Sequence, residues 1–339
     1  MPTTFGDLLL APEAMSTTTA YLQRQKFLPV PLHTLCVTGE LPVDIYLCQG
    51  RDDAPVLFRR RNIEIPPDEF PKLLESGIET VFISRDHVEV YQQHLEDNVA
   101  VIIANESLPL ERRLQFLGDT GRSILHEVFQ ADQLDQTLEA VDDLSNHMVE
   151  LFAGNEVAVS DLFSVLRHDY HTYTHSYNVA SYAMLLGKEL GFSSDEKLRS
   201  LSVGGLLHDL GKLKIPRTIL NKKGRLDNQD WDIIRRHPFD GFVALVNRPE
   251  VSRDQLMMVY QHHERIDGSG YPVGLIGDEI HPFARICSVV DVFDALTSSR
   301  PYRTANTTNE ALETLDRLAN DKLDAEMVQC WKALMKKPS

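Results

Sequence analysis

Histidines and aspartates recur through the second half of this chain at intervals that suit one helix plus one connection, and this spacing restricts the fold more than any other feature. His175, the pair His208-Asp209, His237, the pair His262-His263 and Asp291 are separated by 33, 29, 25 and 28 residues. Successive helices of a bundle could each deliver one or two of these side chains to a common interior point. A single buried histidine is more often a hydrogen-bonded core residue than a ligand, but seven candidates at helical spacing are a different matter. In LLHDLGK the pair His208-Asp209 follows two leucines, where a charge is costly unless a metal or hydrogen bonds compensate it. Adjacent residues on a helix point about 100° apart, so His262 and His263 suit two neighbouring metals better than one. Histidine and aspartate without cysteine favour iron, manganese or zinc, and Asp209 has two oxygens with which to bridge two ions.

The rest of the composition is that of an ordinary globular protein. With 339 residues, 42% hydrophobic and 25% charged, the chain is long enough for two domains with a sizeable core. No apolar stretch approaches the roughly 18 residues of a membrane span, and the N-terminus lacks a signal-peptide pattern, so a cytoplasmic protein is expected. A formal net charge of -16 works against binding a nucleic-acid polymer through its backbone. The four cysteines, Cys36, Cys48, Cys287 and Cys330, form no CxxC pair, so neither a disulfide framework nor a thiolate zinc site is expected.

The chain reads as α+β followed by all-α. Short β-like runs, DIYLCQG, PVLFRRRNIEI and TVFIS, with a helical PDEFPKLLESG between the last two, predict a small α+β domain over residues 1–105. It has no metal-ligand spacing, and a regulatory role falls to it by elimination. Its Arg59-Arg60-Arg61 triplet reads as a solvated strand edge. Residues 106–155 are acidic and helix-favouring, with Leu134, Leu138, Val141, Leu144 and Met148 at spacings of three and four. This segment is expected to connect the domains, its stripe being core or a dimer seam. Residues 156–339 predict a bundle of five or more helices. Ser193-Glu196 and Thr307-Glu310 fit capping boxes, and Gly191 suits a helix stop after an apolar-periodic run from Leu162.

Four segments, GLLHDLGKLKIPRTILNKKGRL, RRHPFDG, HHERIDGSGYP and RICSVVDVFDALTSSRPYR, resemble the HD-GYP family of HD metal-dependent phosphohydrolases. The similarity covers roughly residues 160–327 and leaves the N-terminal part outside. It implies an all-α HD-type bundle that hydrolyses cyclic di-GMP to pGpG and in some members to GMP, in bacterial second-messenger signalling. It further implies two or three metals, commonly iron or manganese. The ligands implied are His175, His208, Asp209, His237, His262, His263 and Asp291, the same seven as the spacing selects. Where three-metal members place a glutamate four residues before the first histidine, this chain has His171. That residue is either an extra nitrogen ligand or merely polar, and two metals are favoured over three.

Hydrolysis of a phosphodiester needs a nucleophile, charge neutralisation and stabilisation of the leaving alkoxide. Two cations sharing a hydroxide can supply all three, with Asp209 between them. By resemblance, Lys212 directs its ammonium at the scissile phosphate, and Arg300 and Arg303 hold ligand phosphate. Gly268 and Gly270 permit close approach of a ligand, Tyr271 is placed to stack on or hydrogen-bond to the nucleotide, and Pro272 fixes the loop exit. Asp267 is expected to shape this loop. Asp294, one helical turn after Asp291, is expected among the substrate contacts or as the residue that orients a ligand. The rival readings are a cyclic di-GMP receptor with negligible turnover and a phosphodiesterase for another cyclic dinucleotide such as cyclic GMP-AMP. A diguanylate cyclase (GGDEF) partner through the GYP loop and a homodimer are further expectations.

Overall fold

Pro29 and Pro31 cannot donate to a sheet ladder, which confines the strand that carries them to an edge. A computed structural model of the chain describes residues 26–35, 40–48, 53–63, 66, 69–106, 108–131, 133–166, 172–220, 222, 224–299, 304–319 and 321–337. In it, β1 (Phe27–Pro31), β2 (Ile45–Leu47), β3 (Val56–Arg59) and β4 (Thr80–Ser84) form an antiparallel sheet of order β1-β4-β2-β3, with β1 at one edge. The central strand β4 buries Val81, Phe82 and Ile83 in succession. Helix α1 (Glu69–Glu75) lies between β3 and β4, and Arg59 on edge strand β3 pairs with its Glu69. Arg60 and Arg61 are exposed.

The chain divides into two compact units, residues 1–98 and 99–339. The boundary falls within α2 (Val88–Ala104). The second unit is helical: α3 (Leu110–Ala131), α4 (Leu134–Ala153), α5 (Val159–Val165), α6 (Thr172–Glu189), α7 (Asp195–Leu207), α8 (Arg217–Leu220), α9 (Asn228–Ile234), α10 (His237–Leu245), α11 (Arg253–Gln261), α12 (Pro282–Thr297), α13 (Thr308–Leu318) and α14 (Ala325–Lys336).

Helix α6 is the axis of this unit, because every residue from Thr174 to Gly187 is buried. An aromatic cluster of Tyr182, Phe293 and Trp331, with ring centroids 5.2–5.7 Å apart, ties it to α12 and α14. Leu138, Val141, Leu144 and Met148 are buried within the chain, and Ser202 of α7 donates to Met148 Sδ at 3.3 Å, so the α4 stripe is core.

Two glycines set the spacing between the elements that matter most. A Cβ at Gly205 of α7 would lie 2.5 Å from Ala180 Cα, and one at Gly211 would lie 2.0 Å from the His237 carbonyl oxygen. Only glycine lets α7 approach α6, and the turn after α7 approach the start of α10, this closely.

The capping expectations hold at one end and shift at the other. Thr307 and Glu310 form a reciprocal box, whereas α7 starts one residue later than expected, with Ser194 accepting from the Lys197 N–H and no return bond. Gly191, at φ +92°, ends α6 with Phe192 N–H donating to the Gly187 carbonyl. The apolar run from Leu162 is not one helix, since Leu162 belongs to α5 and α6 begins at Thr172.

Candidate metal centre

Helix α6 delivers His175, the end of α7 His208 and Asp209, the start of α10 His237, the end of α11 His262 and His263, and α12 Asp291. All seven sequence candidates meet. His208, His237 and His262 are fully buried, and Asp209 is 1% exposed. The ligand atoms fall into two groups: His175, His208 and Asp209 in one, and His237, His262 and His263 in the other, with the atoms of each within 4.8 Å of one another.

Three of the histidines are oriented by one device. The Nδ1 of His208, His237 and His262 meets the backbone carbonyl of the residue three positions earlier, Gly205, Ile234 and Val259, at 2.7–2.9 Å. A carbonyl only accepts, so Nδ1 carries the hydrogen, and Nε2 is the atom whose lone pair the neutral form of the ring would offer a cation. Those lone pairs face inward. His237 Nε2 and His262 Nε2 lie 3.1 Å apart, two acceptors without a hydrogen between them, and His208 Nε2 and Asp209 Oδ1 are buried without a hydrogen-bond partner. Such an arrangement is costly unless a cation satisfies it, and the donor set of imidazole and carboxylate fits divalent metals.

Each carboxylate is shared between the groups. Asp209 Oδ2 lies 3.4 Å from His208 Nε2 and 3.6 Å from His175 Nε2, while its Oδ1 lies 3.3 Å from His237 Nε2 and 3.9 Å from His262 Nε2. Asp291 repeats the pattern, with Oδ1 3.2 Å from His175 Nε2 and Oδ2 3.8 Å from His263 Nδ1. Lys212 Nζ sits 2.5 Å from Asp209 Oδ2.

The charges favour cation binding. Burial works against ionisation of Asp209, yet the Lys212 ammonium beside it holds its carboxyl well below the usual range; Asp291 is held down against burial by its hydrogen bond from His175. Burial and the neighbouring imidazoles push His262 well below its ordinary value, and burial does the same to His263, so both stay neutral. His175 goes the other way: burial lowers it, but Asp291 and Asp294 outweigh burial and raise it to about 10.

Asp294 is 1% exposed, accepts from His175 Nδ1 at 2.7 Å through Oδ2 and from Asn178 at 2.7 Å through Oδ1. This places it behind His175, where it orients that ring. Tyr271 is half-buried beside the ligands, its ring centroid 4.8 Å from that of His263. In its loop, Gly268 has φ +79°, Asp267 accepts from Ser269 N–H at 2.9 Å, and a Cβ at Gly270 would meet Arg265 N at 2.3 Å. His171, Arg300 and Arg303 lie outside the described residues.

Sequence reasoning missed Glu264. Its carboxylate, 1% exposed, accepts from the N–H groups of Val273, Gly274 and Leu275 at 2.7–3.2 Å and so clamps the far side of the GYP loop onto the end of the ligand helix. Its only signal was its place directly after the His262-His263 pair.

Residues 159–327 match the family model described as HD domain, and that match contains both the His208-Asp209 pair and the Gly270-Tyr271-Pro272 triplet. The chain belongs to the HD-GYP family. An HDG"Y"P protein from Bdellovibrio bacteriovorus has the same fold, with a TM-score of 0.67 at 20% identity over 92% of this chain and 100% of its own. This HD-GYP chain is 32% identical over 206 residues to a cyclic di-GMP phosphodiesterase of Pseudomonas aeruginosa, covering 60% of this chain and 50% of that protein. It is 42% identical over 134 residues to the cyclic di-GMP phosphodiesterase response regulator RpfG of Xanthomonas campestris, covering 39% and 35%. It is 36% identical over 166 residues to the 3'3'-cGAMP-specific phosphodiesterase 3 of Vibrio cholerae, covering 49% and 35%. The matches thus span half or less of these relatives' length. Among the described residues no helix is long and apolar enough to cross a membrane.

Proposed function

We propose that this HD-GYP protein is a metal-dependent phosphodiesterase that hydrolyses cyclic di-GMP to pGpG, and onward to GMP, in second-messenger signalling. The observation that carries the reading is the sharing of Asp209 and Asp291 between two histidine groups. His175 and His208 would hold one cation and His237, His262 and His263 the other, with the two carboxylates common to both. Iron or manganese suits these donors. His171 is the candidate ligand for a third ion. Bound cations would supply an activated water and neutralise charge on the phosphate.

The chain's own residues do the rest. Lys212, already at the Asp209 carboxylate, is placed to donate to a non-bridging phosphate oxygen, where a developing negative charge is stabilised most in a site with little water. Asp294 holds the His175 ring, and Glu264 fixes the loop that brings Tyr271 to the site. Arg300 and Arg303 are proposed to hold the ligand's phosphates. The N-terminal unit is proposed as the regulatory module.

The similarity to a cyclic di-GMP phosphodiesterase and to a 3'3'-cGAMP-specific phosphodiesterase supports a cyclic dinucleotide as substrate and makes 3'3'-cGAMP the necessary comparator. The test is to purify the full chain without oxygen, count its metals, and compare turnover of cyclic di-GMP and 3'3'-cGAMP with that of Asp209→Ala. About two metals per chain and turnover that Asp209→Ala abolishes are expected. Tight binding without turnover in the metallated wild type overturns the enzyme reading, and faster turnover of 3'3'-cGAMP overturns the substrate.

A further inference from the structure

Arg235 closes α9 at its C-terminal cap, two residues before the ligand His237. Its side chain is exposed, and its Cζ lies 5.9 Å from the Trp231 ring centroid and 5.8 Å from that of Tyr271. Among the described residues it forms no ion pair. The two rings restrict its side chain, so its five N–H donors are ordered before any ligand arrives. Trp231, for its part, leaves 43% of its surface exposed at the same place.

The order of groups runs outward from the ligands: His263, then Tyr271 at 4.8 Å between centroids, then Arg235, then Trp231. Arg235 therefore stands one aromatic ring beyond the position where a phosphate would meet Lys212 and the metal ligands. In a cyclic dinucleotide the groups that extend beyond the phosphate under attack are sugar and base. An exposed indole offers nothing to a phosphate, but a purine can use both a ring surface and an N–H fork. Guanine presents two adjacent acceptors, N7 and O6, that match a guanidinium fork. Adenine replaces the second acceptor with an amino donor.

We propose that Arg235 is a specificity residue: its guanidinium donates to N7 and O6 of one guanine of the substrate, with the Trp231 ring as the surface beside that base. The proposal rests on the reading of this site as a cyclic-dinucleotide phosphodiesterase. It makes the residue two positions before a metal ligand the reader of the base.

The test uses the metal-loaded full chain and its Arg235→Ala and Arg235→Lys variants. The kcat/KM values for cyclic di-GMP, cyclic di-AMP and the base-free diester bis(p-nitrophenyl) phosphate are measured side by side. Equilibrium titrations in a Lys212→Ala background, followed by tryptophan emission, give Kd apart from turnover; Trp331 is fully buried, so Trp231 is the emitter a ligand would touch. Both variants are expected to lower the preference for cyclic di-GMP over the other two substrates about tenfold or more, through KM and Kd. The lysine variant is not expected to rescue, because it keeps the charge but lacks the fork. Full rescue by lysine, or an equal loss on all three substrates, overturns the proposal. A wild-type chain that cleaves the base-free diester but neither binds nor cleaves a cyclic dinucleotide removes the functional reading itself, and this proposal with it.

Discussion

His175 depends on a neighbour one helical turn beyond Asp291. Asp294 takes the hydrogen on its Nδ1 and, with Asn178 and Ser298 on the carboxylate, fixes the direction in which Nε2 points. Replacing Asp294 with asparagine keeps the volume but removes the charge and one acceptor. The expected result is a loss of about 10–100-fold in metal affinity or turnover at unchanged helix content, read by metal analysis after dialysis alongside circular dichroism. The seven candidates that meet were legible in the sequence because they recur together at intervals of one helix plus one connection, although any one of them alone would read as a core residue. Asp294 was seen but left between two roles, since one turn of helix says which face a residue shares and not which neighbour it meets. Glu264 was invisible because its partners are backbone N–H groups, which carry no side-chain signature.

The helices converge because two glycines let them. An alanine at Gly205 would put a methyl 2.5 Å from Ala180 Cα on the neighbouring helix, a contact with no flexible end that can yield. Gly205→Ala is expected to cost about 1–3 kcal/mol of stability and to separate His175 from His208. Thermal unfolding with metal counting detects both; an unchanged melting temperature with full metal content contradicts it. At this scale the sequence was most informative about helices with strong end signals, such as α13 with its Thr307-Glu310 box. It was least informative where an apolar run continued across a break, as between α5 and α6, because apolar periodicity does not register a change of direction. The edge position of β1 was available from Pro29 and Pro31 but was not drawn from them.

Over the whole molecule the charge opposes the proposed substrate. A net charge of -16 repels an anionic dinucleotide, and the few cations at the site act only at short range. Raising ionic strength from about 0.01 to 0.1 M shortens the screening length from about 30 to 10 Å. The kcat/KM for cyclic di-GMP is therefore expected to rise across that range, the reverse of the behaviour of a basic enzyme, and a steady-state salt series decides it. A different collective property follows from Asp209 and Asp291, each of which offers one oxygen to either histidine group. A first ion held by one histidine group would engage one oxygen of each carboxylate and leave the other oxygen available toward the second group. Filling the first position thus prepares the second, and loading should be cooperative: native mass spectrometry during a manganese titration is expected to show empty and doubly filled chains, with the singly filled form always the minor species.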